Sequence, residues 1–282
     1  MPVIGVFDSG VGGLSVWREM VSLMPGEPML YLADQAHVPY GSRALADVRE
    51  LTLRGVGWLI ERGCTMIVIA CNTASAAALH PARALFTATP FVGMEPAVKP
   101  AASNTHTNVI GVLATQATFQ GALFASVVTR FAANVRVIEQ PCPGWVELVE
   151  SQPLPIADHP LVDRYVLPLL DAGADNLVLG CTHFPFLAPA IHRTIARWQA
   201  ERGAAREVEL IDPSLAVARQ AMRVRDQHGL AQNQDGDGAC RFWTTGDAAA
   251  FETTARKLLL EQPGLCANHI SYDKIISAVT LP

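Results

Sequence analysis

Met66-Ile67-Val68-Ile69-Ala70-Cys71-Asn72-Thr73-Ala74-Ser75 is an apolar, β-branched run that stops at a cysteine and a string of small polar residues. A short apolar run of this kind reads as a strand, and the stretch behind the polar turn reads as the helix that follows it. The pattern recurs at Leu177–Gly180, followed by Cys181-Thr182-His183-Phe184-Pro185. Pro185 suits the first turn of a helix, so Cys181 is expected close to a helix N-terminus.

Moving outward, similar runs occur at Val3–Phe7, Met29–Leu32, Val109–Leu113, Val135–Ile138 and Val208–Ile211, each closed by a turn and trailed by a helix-like stretch. That rhythm marks βα units and mostly parallel sheets flanked by helices. Helical periodicity is clearest over Leu45–Glu61, Ala117–Phe131 and Ala248–Leu260, while Gln232–Gly238 reads as a mobile surface loop.

A weak internal symmetry organises these units. Asp8 and Cys71 end strands 63 residues apart, and Thr115 and Cys181 end strands 66 residues apart. The expectation is an α/β protein of two similar, pseudo-twofold-related domains facing each other across an active-site cleft. The first comprises residues 1–97 plus 210–282 and the second residues 98–209. Glu95-Pro96-Ala97-Val98-Lys99-Pro100 is the expected crossing, and Leu210-Ile211-Asp212-Pro213 is expected to rejoin the first sheet.

Composition narrows the function. With 282 residues, half of them hydrophobic, the chain can bury a large core. A net charge of −5 without any basic run argues against nucleic acid as a primary partner. The N-terminal apolar stretch lacks a basic leader and is broken by Asp8, so neither a signal peptide nor a membrane span is expected and the reading is cytoplasmic. Six cysteines without a CxxC pair do not suggest a disulfide framework. Cys64, Cys142, Cys240 and Cys266 read as core residues, with Cys142 in Pro141-Cys142-Pro143 close enough to matter to a site.

Ligands of open α/β sheets bind beyond the carboxyl ends of the strands, near helix N-termini. Three turns fall there: Asp8-Ser9-Gly10-Val11-Gly12-Gly13, Cys71-Asn72-Thr73 and Cys181-Thr182-His183. The first is glycine-rich enough to approach an anion, or to be a dinucleotide fingerprint with Asp34 as its ribose partner. Its glycine spacing and the carboxylate of Asp8 count against the nucleotide. Cysteines at helix N-termini are expected to ionise more easily than usual. The competing reading, two ordinary buried cysteines, weakens because both stand in the same context. Zinc at Cys181 and His183 lacks a second ligand pair, so no metal is expected. Lys99, Lys257 and Lys274 are not placed for a pyridoxal imine. Met1–Trp17, Gly63–Ala82 and Gly111–Thr129 contain no Lys or Arg, so an anionic substrate falls to backbone amides and to Ser9, Asn72, Thr73, Thr115, Thr118 and Thr182, with Tyr40 and Gly41.

These segments, together with Pro39-Tyr40-Gly41, Thr115-Gln116-Ala117-Thr118 and Leu14-Ser15-Val16 behind the glycine turn, closely resemble the glutamate racemases of the aspartate/glutamate racemase superfamily along the whole chain. The resemblance implies two α/β domains around a cleft, no cofactor, D-glutamate made for peptidoglycan, and commonly a homodimer. It places the catalytic cysteines at Cys71 and Cys181 and the supporting acid/base residues at Asp8, Glu150 and His183. It places substrate-binding pairs at Asp8-Ser9, Tyr40-Gly41, Asn72-Thr73 and Thr182-His183. Gly144-Trp145 departs from the aliphatic residues expected there, and Glu147 competes with Glu150 for the carboxylate role. Two thiols on opposite faces of a substrate carbon suit inversion through a planar carbanion. The alternatives are a racemase of aspartate or another small carboxylate, and a non-catalytic two-lobed amino-acid-binding protein.

Overall fold

The computed structural model describes residues 2–151, 156, 158–203, 206–231, 238–259 and 267–269. Residues 232–237 of the expected loop, Cys266 and Lys274 lie outside the described residues. The strands are β1 (Val3–Asp8), β2 (Met29–Ala33), β3 (Cys64–Ile69), β4 (Phe91–Gly93), β5 (Val109–Ala114), β6 (Arg136–Pro141), β7 (Asn176–Gly180), β8 (Glu209–Ile211), β9 (Cys240–Thr244) and β10 (Ala267–His269). The helices are α1 (Leu14–Leu23), α2 (Leu45–Glu61), α3 (Asn72–Leu85), α4 (Val98–Asn104), α5 (Gln116–Gln120), α6 (Ala122–Phe131), α7 (Trp145–Ser151), α8 (Pro160–Asp171), α9 (Ala188–Arg202), α10 (Ser214–Gln227) and α11 (Ala248–Leu258).

All strand pairings among the described residues are parallel. One sheet runs β10-β9-β2-β1-β3-β4 and the other β6-β5-β7-β8. The order β2-β1-β3-β4 is repeated by β6-β5-β7-β8, so the sequence symmetry has a topological counterpart. In this correspondence β1 matches β5 and β3 matches β7, which puts Asp8 opposite Thr115 and Cys71 opposite Cys181.

One boundary needs correction. Leu210 and Ile211 do not rejoin the first sheet: β8 pairs with β7 through Leu177↔Leu210 and Val178↔Ile211. The physical reason is that β8 is the fourth strand of the second unit and covers the otherwise open edge of β7, as β4 covers β3. The chain returns only after Ile211, through α10, which packs on α1. A second correction concerns Ala117–Phe131, where the expected single helix is split. Gly121 is extended (φ −74°, ψ 136°) and serves as the C-cap of α5 and the N-cap of α6.

Burial follows from the parallel sheets, whose two faces are both covered by helices. Phe7, Leu32, Ile67 and Ile69 point toward α2 and α3 and share a core with Val48 and Trp58. Their neighbours Val6, Tyr31 and Val68 point the other way. That second core is continuous from the first sheet through Leu14, Trp145 and Val149 to Leu177 and Leu179. The two units therefore share apolar packing on one side of the cleft, which fixes the strand ends facing each other. Among the described residues, no helix is long and apolar enough to cross a membrane.

Candidate active site

Cys71 ends the turn behind β3 and is the N-cap of α3, its sulfur accepting the Ala74 N–H at 3.4 Å. It also donates weakly to Ser9 Oγ at 3.8 Å. The helix N-terminus does not make this thiol acidic. Burial pushes Cys71 well above the ordinary thiol range, and the negative charge of Asp8 adds to the shift. The sequence expectation of an easily formed thiolate is thus overturned here, because desolvation outweighs one N–H donor.

Cys181 follows β7 and precedes a single 3₁₀ turn, Phe184–Leu187, that leads into α9. Its close partner is His183, whose Nδ1 lies 3.8 Å from the sulfur. The other ring nitrogen, Nε2, is 2.8 Å from Glu150 Oε1 on α7. Burial alone would lower the His183 pKa, but hydrogen bonds to Cys181 and Glu150 and the charges of both raise it well above its usual value. Burial likewise raises Glu150, and the bond to His183, its positive charge and the Val11 and Gln35 donors bring the carboxyl net below its usual range. A protonated imidazole can donate from both nitrogens, which satisfies sulfur and carboxylate together.

Asp8, at the end of β1, is fully buried, and desolvation lifts its pKa to about 6 against the opposing charge of His183. Its carboxylate accepts from Gly10 N–H at 2.8 Å and from Thr182 Oγ at 3.0 Å. The second bond crosses between the units. Another crossing contact is the cluster Thr73, Thr115 and Thr118, whose hydroxyls lie 2.9–3.3 Å apart. These crossing contacts are made by hydroxyl groups rather than by Lys or Arg.

The glycine-rich turn has a meaning that its sequence did not disclose. Val11 N–H donates to Glu150 Oε1 at 3.1 Å, so its amides meet the protein's own carboxylates. A Cβ on Gly10 would overlap Glu150, and one on Gly12 would overlap His183 Nδ1. The turn is bare because the Cys181 partners pack directly against it.

The remaining candidates separate clearly. Tyr40 spends its hydroxyl on Asp34 Oδ2 at 2.6 Å, and Asp34 is also held by Thr245 Oγ at 2.8 Å. Asp34 is therefore an anchor for the Tyr40-Gly41 loop. Gly41 and Thr115 line a cavity of about 170 Å³ with Ser42, Cys142, Pro143 and Glu147. Glu150 rather than Glu147 reaches His183. Asn72 gives its amide to Met94 Sδ at 3.8 Å, leaving Oδ1 a buried acceptor without a hydrogen-bond partner. Cys142 is buried beside the cavity and donates to Gln140 O at 3.2 Å. Cys64 is a core residue whose thiol burial pushes up to about 12. Cys64, Cys71, Cys142 and Cys181 are free thiols. Among the described residues, no three His, Cys, Asp or Glu groups form a metal-holding cluster.

The model of the Asp/Glu/Hydantoin racemase family matches residues 4–221. This chain belongs to that family. It is 47% identical over 260 residues to the glutamate racemase of Ectopseudomonas mendocina (strain ymp), covering 92% of this chain and 95% of the relative. It is 48% identical over 260 residues to the glutamate racemase of Roseiflexus sp. (strain RS-1), covering 90% and 91%. Among solved structures, it is similar to the glutamate racemase of Francisella tularensis subsp. tularensis SCHU S4 in complex with D-glutamate, with a TM-score of 0.81, 27% identity, and 97% and 98% of the two chains covered. The Escherichia coli glutamate racemase in complex with L-glutamate and the activator UDP-MurNAc-ala gives a TM-score of 0.79 at 28% identity, covering 96% and 98%.

Proposed function

We propose that this member of the racemase family interconverts L- and D-glutamate by proton transfer between Cα and two thiols, Cys71 and Cys181. The observation that carries the reading is the pair of buried cysteines at matching strand ends, each with its own charged partner, in a chain whose curated relatives are glutamate racemases.

One thiolate removes the α-proton from one face, and the opposite thiol returns a proton to the other face; the roles exchange with the hand of the substrate. Burial favours the thiol form of Cys71, which is the acid for one enantiomer and must first be ionised to act as the base on the other. Once ionised, a desolvated thiolate is a stronger base, which narrows its gap to the weakly acidic Cα–H. Asp8 stands beside Cys71 to take up or return its proton. His183, steadied by Glu150, does the same for Cys181. Closing the cleft keeps water out and strengthens each of these interactions.

The substrate carboxylates fall to Ser9, Gly41, Thr73, Thr115, Thr118 and Thr182 and to neighbouring backbone amides. The buried Asn72 Oδ1 awaits a donor, which the substrate ammonium supplies. No organic cofactor enters this scheme. The same reading includes a homodimer, a cytoplasmic location and delivery of D-glutamate to peptidoglycan; sedimentation analysis checks the first of these.

The test is to incubate L-glutamate and L-aspartate separately with the enzyme and to follow optical rotation. Rapid loss of rotation with glutamate, and slow or no loss with aspartate, is the expected result. Faster turnover of aspartate would reassign the substrate. Binding of glutamate without any change in rotation would leave a two-lobed binding protein.

A further inference from the structure

The pairing of Cys181, His183 and Glu150 depends on how Glu150 is held, and two of its holders, Val11 N–H and the Gln35 side chain, come from the opposite unit. Gln35 opens the 3₁₀ turn Gln35–His37 behind β2. Its Nε2 donates to Glu150 Oε2 at 3.0 Å, across the cleft. The other end of the amide, Oε1, accepts from Thr244 Oγ at 3.2 Å at the end of β9.

The amide can stand only one way round. An ionised Glu150 offers no donor, so it must face the NH₂ group. Thr244 Oγ already accepts the Gly246 N–H at 3.1 Å, which leaves its hydroxyl proton to donate to Oε1. Thr244 is fully buried, so this end of Gln35 is fixed. The Glu150 oxygens are thereby divided: Oε1 takes His183 and Val11, and Oε2 takes Gln35.

We propose that Gln35 is a positioning residue for racemisation, holding Glu150 from across the cleft so that Glu150 in turn aims His183 at Cys181. The inference rests on the two-thiol reading above. It extends the proton-transfer assembly to a loop of the first unit and, through Thr244, to the strand β9. Glutamine is required because the site needs a neutral donor at Glu150 and an acceptor at Thr244 in one side chain.

Two substitutions separate this role from mere filling of space. Gln35→Glu keeps the shape and the acceptor for Thr244 but sets a carboxylate against Glu150. Gln35→Leu removes both bonds. Each is expected to lower kcat/KM by roughly tenfold, the scale of a lost hydrogen bond to a charged group. The loss must be equal in the two directions, because the enantiomers have equal free energy and the ratio of the two kcat/KM values is fixed at one. It falls mainly in kcat, since Gln35 acts on the proton-transfer assembly rather than on bound glutamate.

A second readout is independent of turnover. The Glu150 carboxyl is titrated by ¹³C NMR and assigned by its absence in Glu150→Gln. The titratable groups set against it are His183 and, more remotely, Tyr31, with Glu147 on its own helix. None of these is altered. Removing a donor to the charged form, or adding a like charge, raises a carboxyl pKa. The midpoint is therefore expected to move up in both variants, and further in Gln35→Glu. In a Glu150→Gln background the same substitutions are expected to cost nothing further in kcat/KM.

If Gln35→Glu keeps both the wild-type kcat/KM and the wild-type Glu150 midpoint, the proposal is overturned. An equal loss in the Glu150→Gln background overturns it as well, since Gln35 would then act elsewhere. If the wild-type enzyme leaves glutamate unracemised, the functional reading falls separately, while the Glu150 titration still decides whether Gln35 holds that carboxylate.

Discussion

Cys71 and Cys181 end equivalent strands, yet their surroundings are built differently. Cys71 caps a long helix, is met by a single N–H, and has as its charged neighbour a carboxylate from the adjacent strand end, Asp8. Cys181 precedes one short turn and has an imidazole two residues further on, held by a carboxylate from α7. The position matching Asp8 in the second unit is Thr115, which bonds to Thr73 and Thr118 instead. The repeated topology sets where the two thiols stand. Their charged neighbours are not repeated: a carboxylate on one side, an imidazole and carboxylate on the other.

The comparison predicts a large common effect and smaller unequal ones. Cys71→Ser and Cys181→Ser should each lower kcat/KM by about a thousandfold, within the usual range for losing a positioned acid or base. Polarimetry from both enantiomers checks this; a mutant near wild-type rate would break the equivalence of the two thiols.

Glu150→Gln should cost roughly a hundredfold, because the His183 imidazole loses the partner that keeps it charged. Its His183 titration, followed by NMR, should move to lower pH. No comparable change is expected at His183 when Cys71 is replaced, and finding one would erase the division between the two flanks.

Asp8→Asn sharpens the Cys71 side. Folded Asp8 keeps its proton up to about pH 6, whereas the unfolded carboxyl releases it near 3.8. Between these values the folded state holds more protons, so wild-type stability falls as pH rises. The Asn variant escapes this loss and should be more stable at pH 7 by on the order of 2–3 kcal/mol, while racemising about tenfold more slowly. Denaturant titrations at pH 4 and pH 7 measure the difference; equal stabilisation at both would contradict it.

The smallest effect is expected at Tyr40→Phe. Its hydroxyl serves Asp34 rather than either thiol, so the loss should show as about 2 kcal/mol of stability and a modest rise in KM. A fall in kcat as large as that of Asp8→Asn would place Tyr40 in the proton-transfer machinery.

Much of this was legible in the sequence because it was local. Seven strands and both cysteine turns announce themselves by a short apolar run closed by a turn. The strands β4, β9 and β10 were not seen, since three residues after Pro90, or a short run beyond a polar loop, carry too little periodicity. The sheet to which Leu210-Ile211 belongs was misjudged because a strand's own residues do not say which edge it will cover. The thiol chemistry was half legible: the N-terminus of α3 could be read, but the burial that overrides it could not. Glu150 was placed by resemblance, and Gln35 was missed altogether. Their contact joins residues 115 apart in the chain, and no local pattern records it.

Action of the two thiols on opposite faces of one carbon is read out by deuterium transfer in D₂O. L-Glutamate is turned over to a few per cent, and each enantiomer is separated and analysed for α-deuterium by mass spectrometry. Cysteine protons exchange with solvent, so the new D-glutamate is expected to carry deuterium at Cα while the recovered L-glutamate carries none. D-Glutamate that retains the original α-proton, or L-glutamate that gains deuterium as fast as it racemises, would mean that a single group both removes and returns the proton.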